Sequence, residues 1–176
     1  MANALQPVKV DLRSGRVSDA GGIERCGIMM MQTAARVQRR LEIRGFSWAV
    51  RVISAALPSR SVVRVMLDDD CAFEMPYGDG YWSWLLLRGA EYEADMHGVM
   101  EAIAGVDYAF LDCGANYGYW SVLVSGEKLG RHPAVAIEAD SSPIRVCERA
   151  CLPALSASRK SRCSVLPSDF ACCAWM

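Results

Sequence analysis

The sequence predicts an α/β fold, and three observations carry that prediction. A short apolar run at residues 108–111 closes on Asp112 and opens into a glycine turn within FLDCGANYGYWS, residues 110–121. A second apolar run at residues 134–137, AVAI, ends on another acid, Glu138. Between them, residues 119–129 have the make-up of a helix. Strand, turn, helix and strand in that order form the repeating unit of a parallel sheet.

The elements follow in chain order. Residues 1–22 are polar and glycine-punctuated, and read as a loose N-terminal arm. Met30, Ala34, Val37 and Leu41 then recur at helical spacing, with Arg36, Arg39, Arg40 and Arg44 on the other side. A basic amphipathic helix can lie on an anionic membrane or on a partner, but such helices ordinarily pack on their own domain, which is the expectation here. Residues 46–57 form a second helix, stopped by Pro58. Residues 61–67 alternate toward strand, Asp68, Asp69 and Asp70 turn, and residues 71–75 return, predicting a β-hairpin that ends at PYGDG, residues 76–80. Three consecutive aspartates point in different directions, so they read as a solvated turn rather than a metal cluster. Residues 81–87, YWSWLLL, are rich enough in large apolar groups to require burial. Residues 93–104 place Met96, Met100 and Ile103 on one helical face, with Gly105 as the stop.

Composition narrows the function classes. The 176 residues make about one domain, and 52% hydrophobic residues with a net charge of −1 permit a core without pointing to a polyanionic partner, so nucleic-acid binding is not expected. No uncharged apolar run approaches the roughly 18 residues of a membrane helix. The N-terminus has no apolar stretch after a basic start. The expectation is a cytoplasmic protein with no membrane span. Eight cysteines are present, five of them after residue 146, without a C-x-x-C pair, and His97 and His132 are not spaced with them as zinc ligands would be. No metal site is expected, and Cys113, inside the glycine turn, reads as a buried spacer.

The turn itself is the most specific feature. Gly114 and Gly118 let the backbone turn tightly and approach a ligand without a Cβ in the way. The first free N–H groups of the helix that follows would face that ligand. A dinucleotide loop, G-x-G-x-x-G, is not formed, because Asn116 stands where its second glycine belongs. A P-loop is not formed either, since Tyr119 and Trp120 follow Gly118 in place of Lys and Ser/Thr. Glu138, an acid at the tip of the second strand roughly 20 residues beyond the turn, is placed to accept hydrogen bonds from both hydroxyls of a ribose.

The pattern D-x-G-A-N-x-G-x-x-S, from Asp112 to Ser121, resembles motif I of the class I S-adenosylmethionine-dependent methyltransferases, and within them the FkbM-type branch. The resemblance covers residues 62–140 and includes the Tyr92-Glu93 pair that introduces a helix just before the motif. It implies a Rossmann-like class I methyltransferase sheet, here incomplete and preceded by N-terminal helices and a β-hairpin. It further implies S-adenosyl-L-methionine as cofactor, held by Asp112, Gly114, Ala115, Asn116 and Gly118, with Glu138 on the ribose. Glu93 is a further ligand-side candidate, with an ordinary helix N-terminal acid as the alternative. The reaction implied is O-methylation of a sugar or small-molecule hydroxyl, with no catalytic base to name. One departure is AIEA at residues 136–139, which lacks the proline of the family's A-F-E-P phrase.

Past Asp140 the resemblance stops. Each βαβ step takes roughly 30 residues or more, and the chain ends at residue 176, 64 residues beyond Asp112. The tail at residues 147–176, rich in Cys, Ser and Arg, shows no strand where a third belongs and reads as a truncation with a frameshifted ending. The expected organisation is an arm at 1–22, helices and hairpin at 23–105, the start of a methyltransferase domain at 106–146 and an atypical tail at 147–176. Such a chain is expected to be inactive in methyl transfer and prone to self-association. Two alternatives stand beside the methyltransferase: a degenerate, non-enzymatic fragment or interaction module, and a nicotinamide-dependent oxidoreductase, against which the missing G-x-G-x-x-G counts.

Overall fold

Alternating valines open the chain. In a computed structural model, which describes residues 7–42, 44–140, 162–165 and 171–175, the segment VKVD forms strand β1 (Val8–Asp11). Val8 and Val10 point inward, while Lys9 and Asp11 are exposed. A turn leads to β2 (Val17–Ser18), antiparallel to β1. Part of the stretch expected to be a loose arm is therefore sheet: the period-two alternation in VKVD outweighs the polar, glycine-rich composition around it. Residues 1–6 of that arm lie outside the described residues.

The chain divides into two compact units, Met1–Met66 with Met75–Tyr92, and Leu67–Glu74 with Glu93–Met176. In the first unit, β3 (Val62–Met66) pairs in parallel with β1, so that Val8 faces Val63 and Val10 faces Val65 across the ladder. These four valines are at most 2% exposed. Helix α1 (Gly22–Leu41) buries Ile28, Met31 and Ala35 along one stripe. Gln32, buried in the same stripe, donates its amide to the carbonyls of Gly15 (2.9 Å) and Leu86 (3.0 Å), which satisfies both of its N–H groups. A Cβ at Gly27 would overlap the Tyr77 hydroxyl, so only glycine lets that ring approach the helix. Helix α2 (Phe46–Ala56) ends before Pro58, as expected, and buries Phe46, Val50 and Ile53. A 3₁₀ turn at Trp82–Leu86 buries Trp82, Leu85 and Leu86, but Tyr81 beside it is 63% exposed and donates or accepts a hydroxyl bond with Tyr92. The phenol needs a polar partner, which separates it from its apolar neighbours.

The predicted hairpin arms correspond to β3 and β4 (Ala72–Pro76). Asp68–Asp70 make the turn, which is closed by the Leu67 and Asp68 N–H groups donating to the Cys71 carbonyl.

In the second unit, α3 (Ala94–Ala102) precedes β5 (Phe110–Cys113), α4 (Tyr119–Val124), a 3₁₀ turn at Glu127–Leu129 and β6 (Ala134–Glu138). β5 and β6 are parallel, with Leu111 opposite Val135 and Cys113 opposite Ile137. The unit thus starts inside the segment expected to be N-terminal to it, because α3 belongs with the strands that follow.

The second sheet has the order β5-β6-β8-β7, where β7 is Arg162–Val165 and β8 is Ala171–Trp175. β8 runs antiparallel to β6 and β7 antiparallel to β8. The tail was expected to hold no strand and to stay outside the sheet. The described part of it pairs, because an antiparallel neighbour requires only an unpaired backbone edge, which β6 supplies, and makes little demand on composition. The remaining tail residues, with Cys147, Pro153 and Pro167, lie outside the described residues. The protein is a mixed α/β structure whose second sheet is itself mixed. No described helix is long and apolar enough to cross a membrane.

Candidate functional site

Three left-handed residues shape the turn between β5 and α4. Gly114 (φ 78°), Asn116 (φ 51°) and Gly118 (φ 79°) reverse the chain within five positions. Asn is the side chain that tolerates this region best after glycine. Ala115 between them is buried and anchors the turn. The Gly114 and Ala115 N–H groups both donate to the Ile137 carbonyl, at 2.8 and 3.1 Å, which fastens the turn to the end of β6.

Glu138 closes this arrangement. Its Oε2 accepts the Asn116 N–H at 2.7 Å and its Oε1 the Asp140 N–H at 3.0 Å. A carboxylate has about four lone-pair sites, so each oxygen keeps capacity for one further donor. The acid at the strand tip and the glycine turn, separate expectations from sequence, are thus one hydrogen-bonded unit.

Asp112 and Ser121 are the other fastening. The Ser121 N–H and hydroxyl donate to Asp112 Oδ2 at 3.2 and 2.7 Å, and Ser121 is fully buried. This explains why the pattern runs as far as Ser121. Burial pushes the Asp112 carboxyl above its usual range, the Ser121 bonds oppose that rise, and the negative charges of Glu138 and Glu93 add to it. Asp112 therefore ties strand to helix while standing near two other acids.

Helix α4 is shorter than residues 119–129, ending at Val124. At Gly126 the chain runs against Cys71, whose sulfur occupies the place a Cβ would take, and the helix stops before that contact. The first-turn N–H groups were expected to face a ligand. One of them, the Ser121 N–H, is held by Asp112, and the Val122 N–H makes the helix's own first bond, to the Gly118 carbonyl.

Glu93 sits at the head of α3 with a left-handed backbone (φ 52°) and makes no side-chain cap. Its Oε2 accepts the Trp120 indole N–H at 2.8 Å. Beside it, His97 Nε2 lies 3.0 Å from the Tyr119 hydroxyl, and the His97 ring tilts against Trp120 at 4.8 Å. Sequence reading singled out Glu93 but missed His97, Tyr119 and Trp120. Their one signal is spacing, since His97 stands one helical turn beyond Glu93 and so shares its face.

Two expectations need correction. Cys113 is exposed rather than a buried spacer, because Asp112 faces α4 and strand alternation sends its neighbour to the opposite side. Leu111, expected in a buried strand, is 59% exposed for the same reason. The aspartate turn acts as a structural anchor: Asp70 Oδ2 accepts the Glu127 N–H at 2.9 Å and lies 3.5 Å from the Arg131 guanidinium. Among the described residues no group of His, Cys, Asp and Glu is arranged to hold a metal ion.

Comparison with known proteins finds no match: no protein-family model, no curated protein and no solved structure corresponds to this chain.

Proposed function

We propose that the β5-α4-β6 unit is a binding site for S-adenosylmethionine, in a protein of FkbM-like methyltransferase type. The observation that supports this most is the clamp from Glu138 to Asn116, which holds an acid with spare acceptor capacity at the mouth of the glycine turn. The residues present fit the cofactor. An ideal Cβ at Gly114 would meet nothing within 4 Å, so the turn presents open space on that side. The three carboxylates of Asp112, Glu138 and Glu93 suit a ligand that carries an ammonium and a sulfonium charge. When bound, the cofactor supplies an electrophilic methyl group to an acceptor oxygen of a sugar or small hydroxyl compound. In this reading Glu138 orients the ribose through its remaining lone pairs, Gly114 and Gly118 give the backbone room, and Asp112 with Ser121 keeps the turn in register. Alignment of this kind supplies much of the rate in group transfer.

A second reading, a module that binds the donor without transferring methyl, is favoured by β8, which runs antiparallel where a doubly wound sheet would continue in parallel.

Calorimetry with S-adenosylmethionine tests the site. Glu138→Ala is expected to weaken binding about tenfold to hundredfold, the range for losing hydrogen bonds to a charged group. Gly114→Val is expected to abolish it, because its side chain would project into the open space and a branched residue is strained at positive φ. Equal affinity in the wild type and Gly114→Val would remove the turn from the site. NADH fluorescence serves as the control for nicotinamide binding. A radiolabelled methyl-transfer assay over sugar and small hydroxyl acceptors separates the two readings, and turnover above background would exclude the second.

A further inference from the structure

Helix α1 carries two apolar stripes, and its own unit covers only one. Ile28, Met31 and Ala35 are buried, whereas Ile23 (51%), Met30 (47%), Val37 (46%) and Leu41 (61%) are exposed. With half-buried Ala34, the last three recur at alternating spacings of four, three and four residues. At roughly 100° per residue, the exposed stripe occupies an arc of about 60°. The stripe noted in the sequence thus faces outward, contrary to the expectation that it packs on its own domain. Helix α2 adds a second outward ridge in Trp48, 71% exposed, and Val52, 47% exposed.

Charge identifies what covers these stripes. Residues 22–60 hold seven arginines, Arg25, Arg36, Arg39, Arg40, Arg44, Arg51 and Arg60, all exposed, and no lysine or aspartate. Against them stand two glutamates, giving a surplus of five positive charges in a chain whose net charge is −1. One of those glutamates, Glu24, accepts the hydroxyls of Ser59 (2.8 Å) and Ser61 (3.1 Å).

We propose that the α1-α2 face docks on the surface of an anionic lipid bilayer, with the apolar stripes at the acyl boundary and the arginines among the headgroups. Amphipathic helices with large apolar side chains on one side and cationic ones on the other bind in this way, and an exposed tryptophan is the residue that settles at the interface. A second copy of the chain is the poorer occupant, since it would set one arginine surplus against another. The docking is independent of the donor-site reading, because α1 and α2 belong to the first unit.

Co-sedimentation of the full chain with vesicles tests this. Vesicles of phosphatidylcholine containing phosphatidylglycerol should retain the protein, pure phosphatidylcholine vesicles should not, and high salt should release it. Replacing Arg36, Arg39 and Arg40 together by Gln should lower partitioning about a hundredfold, from roughly fivefold per arginine. The pair Val37→Ser and Leu41→Ser should lower it at least about tenfold. Should that pair fail to fold by circular dichroism, Trp48→Ala carries the same test from a single exposed site. A protein that stays in the supernatant with anionic vesicles overturns the proposal, as does equal binding to neutral and anionic vesicles. A dimer in sedimentation velocity that Leu41→Ser dissociates would assign the stripe to a second copy and overturn it as well.

Discussion

The two parallel strand pairs, β1 with β3 and β5 with β6, differ in the faces they turn away from their cores. In the first pair the outward residues of β1 are Lys9 and Asp11, and Arg64 stands opposite Lys9 on β3. Lys9 also pairs with Asp19 at 2.8 Å. That side carries charge on both strands, between Val62 and Met66 of β3. In the second pair the inward side holds Ala134, Ala136 and Asp112, while the other side holds Leu111, Cys113, Val135 and Ile137. Strands that read apolar on both sides are the kind found with helices on both faces of a sheet. The contrast teaches that the same parallel geometry can be self-sufficient or can be composed for further cover, and that the outward residues decide which.

The largest expected effect separates the two cores. Leu85→Ala in the first unit, where the side chain is 1% exposed, should cost about 3 kcal/mol in urea unfolding. Leu111→Ala should change stability by no more than about 0.5 kcal/mol, since so little of that side chain is buried. Equal losses would break the comparison.

A smaller effect is expected at Ser121. Ser121→Ala removes the hydroxyl donor to Asp112 while keeping the backbone N–H bond, and should cost about 1–3 kcal/mol. The Asp112 carboxyl lies above its usual range in the folded chain, so it keeps its proton to higher pH there than in the unfolded chain. Its contribution to stability is present below the ordinary carboxylate range and is lost as pH rises through its folded value. Asp112→Asn, which keeps an acceptor for Ser121, should flatten that part of the stability profile.

Leu111→Lys tests the outward face directly. It should leave the melting temperature nearly unchanged and reduce light scattering by the isolated protein, because a charge on an exposed apolar face opposes association. Unchanged scattering would show that this face does not drive association.

The cysteines sharpen the contrast further. Cys113 and Cys26 are exposed and should react with iodoacetamide in the native protein, whereas Cys71 should react only on unfolding. Burial pushes the Cys71 thiol up to about 12, with the neighbouring Asp70 charge adding to the rise. The stability this thiol contributes is present below its ordinary value of 9.0 and is lost as pH climbs toward about 12. Peptide mapping at each pH reads both effects. The smallest predicted difference concerns β8, whose amides at residues 171–175 should exchange more slowly than those of an unpaired segment.

The site was more legible than its surroundings. Glycines at 114 and 118 and an acid at 138 announce themselves by residue type and spacing, because positive φ and a strand-tip carboxylate are demands that few residues meet. The end of α2 before Pro58 was legible because proline cannot continue a helix, whereas α3 stops at Ala102, short of Gly105. Cys113 and Leu111 were misjudged because residue type reports what a side chain prefers, whereas the covering of a strand face depends on elements distant in sequence. The pairing of β8 was invisible because a backbone ladder leaves almost no trace in composition. His97 and Trp120 were missed because their contacts join α3 to α4 across more than 20 residues, as the 22-residue separation of His97 and Tyr119 shows.

The bond from Asn116 to Glu138 has a consequence for timing. A loop already held in its turned form needs no folding step when a small molecule arrives, so the encounter itself limits the rate. In rapid mixing, the observed association rate should climb in a straight line with ligand concentration, without a plateau. Replacing Glu138 by Ala removes the bond to the Asn116 N–H and so weakens the hold on a left-handed residue. That curve should then bend toward a ceiling set by how fast the chain re-forms its own turn.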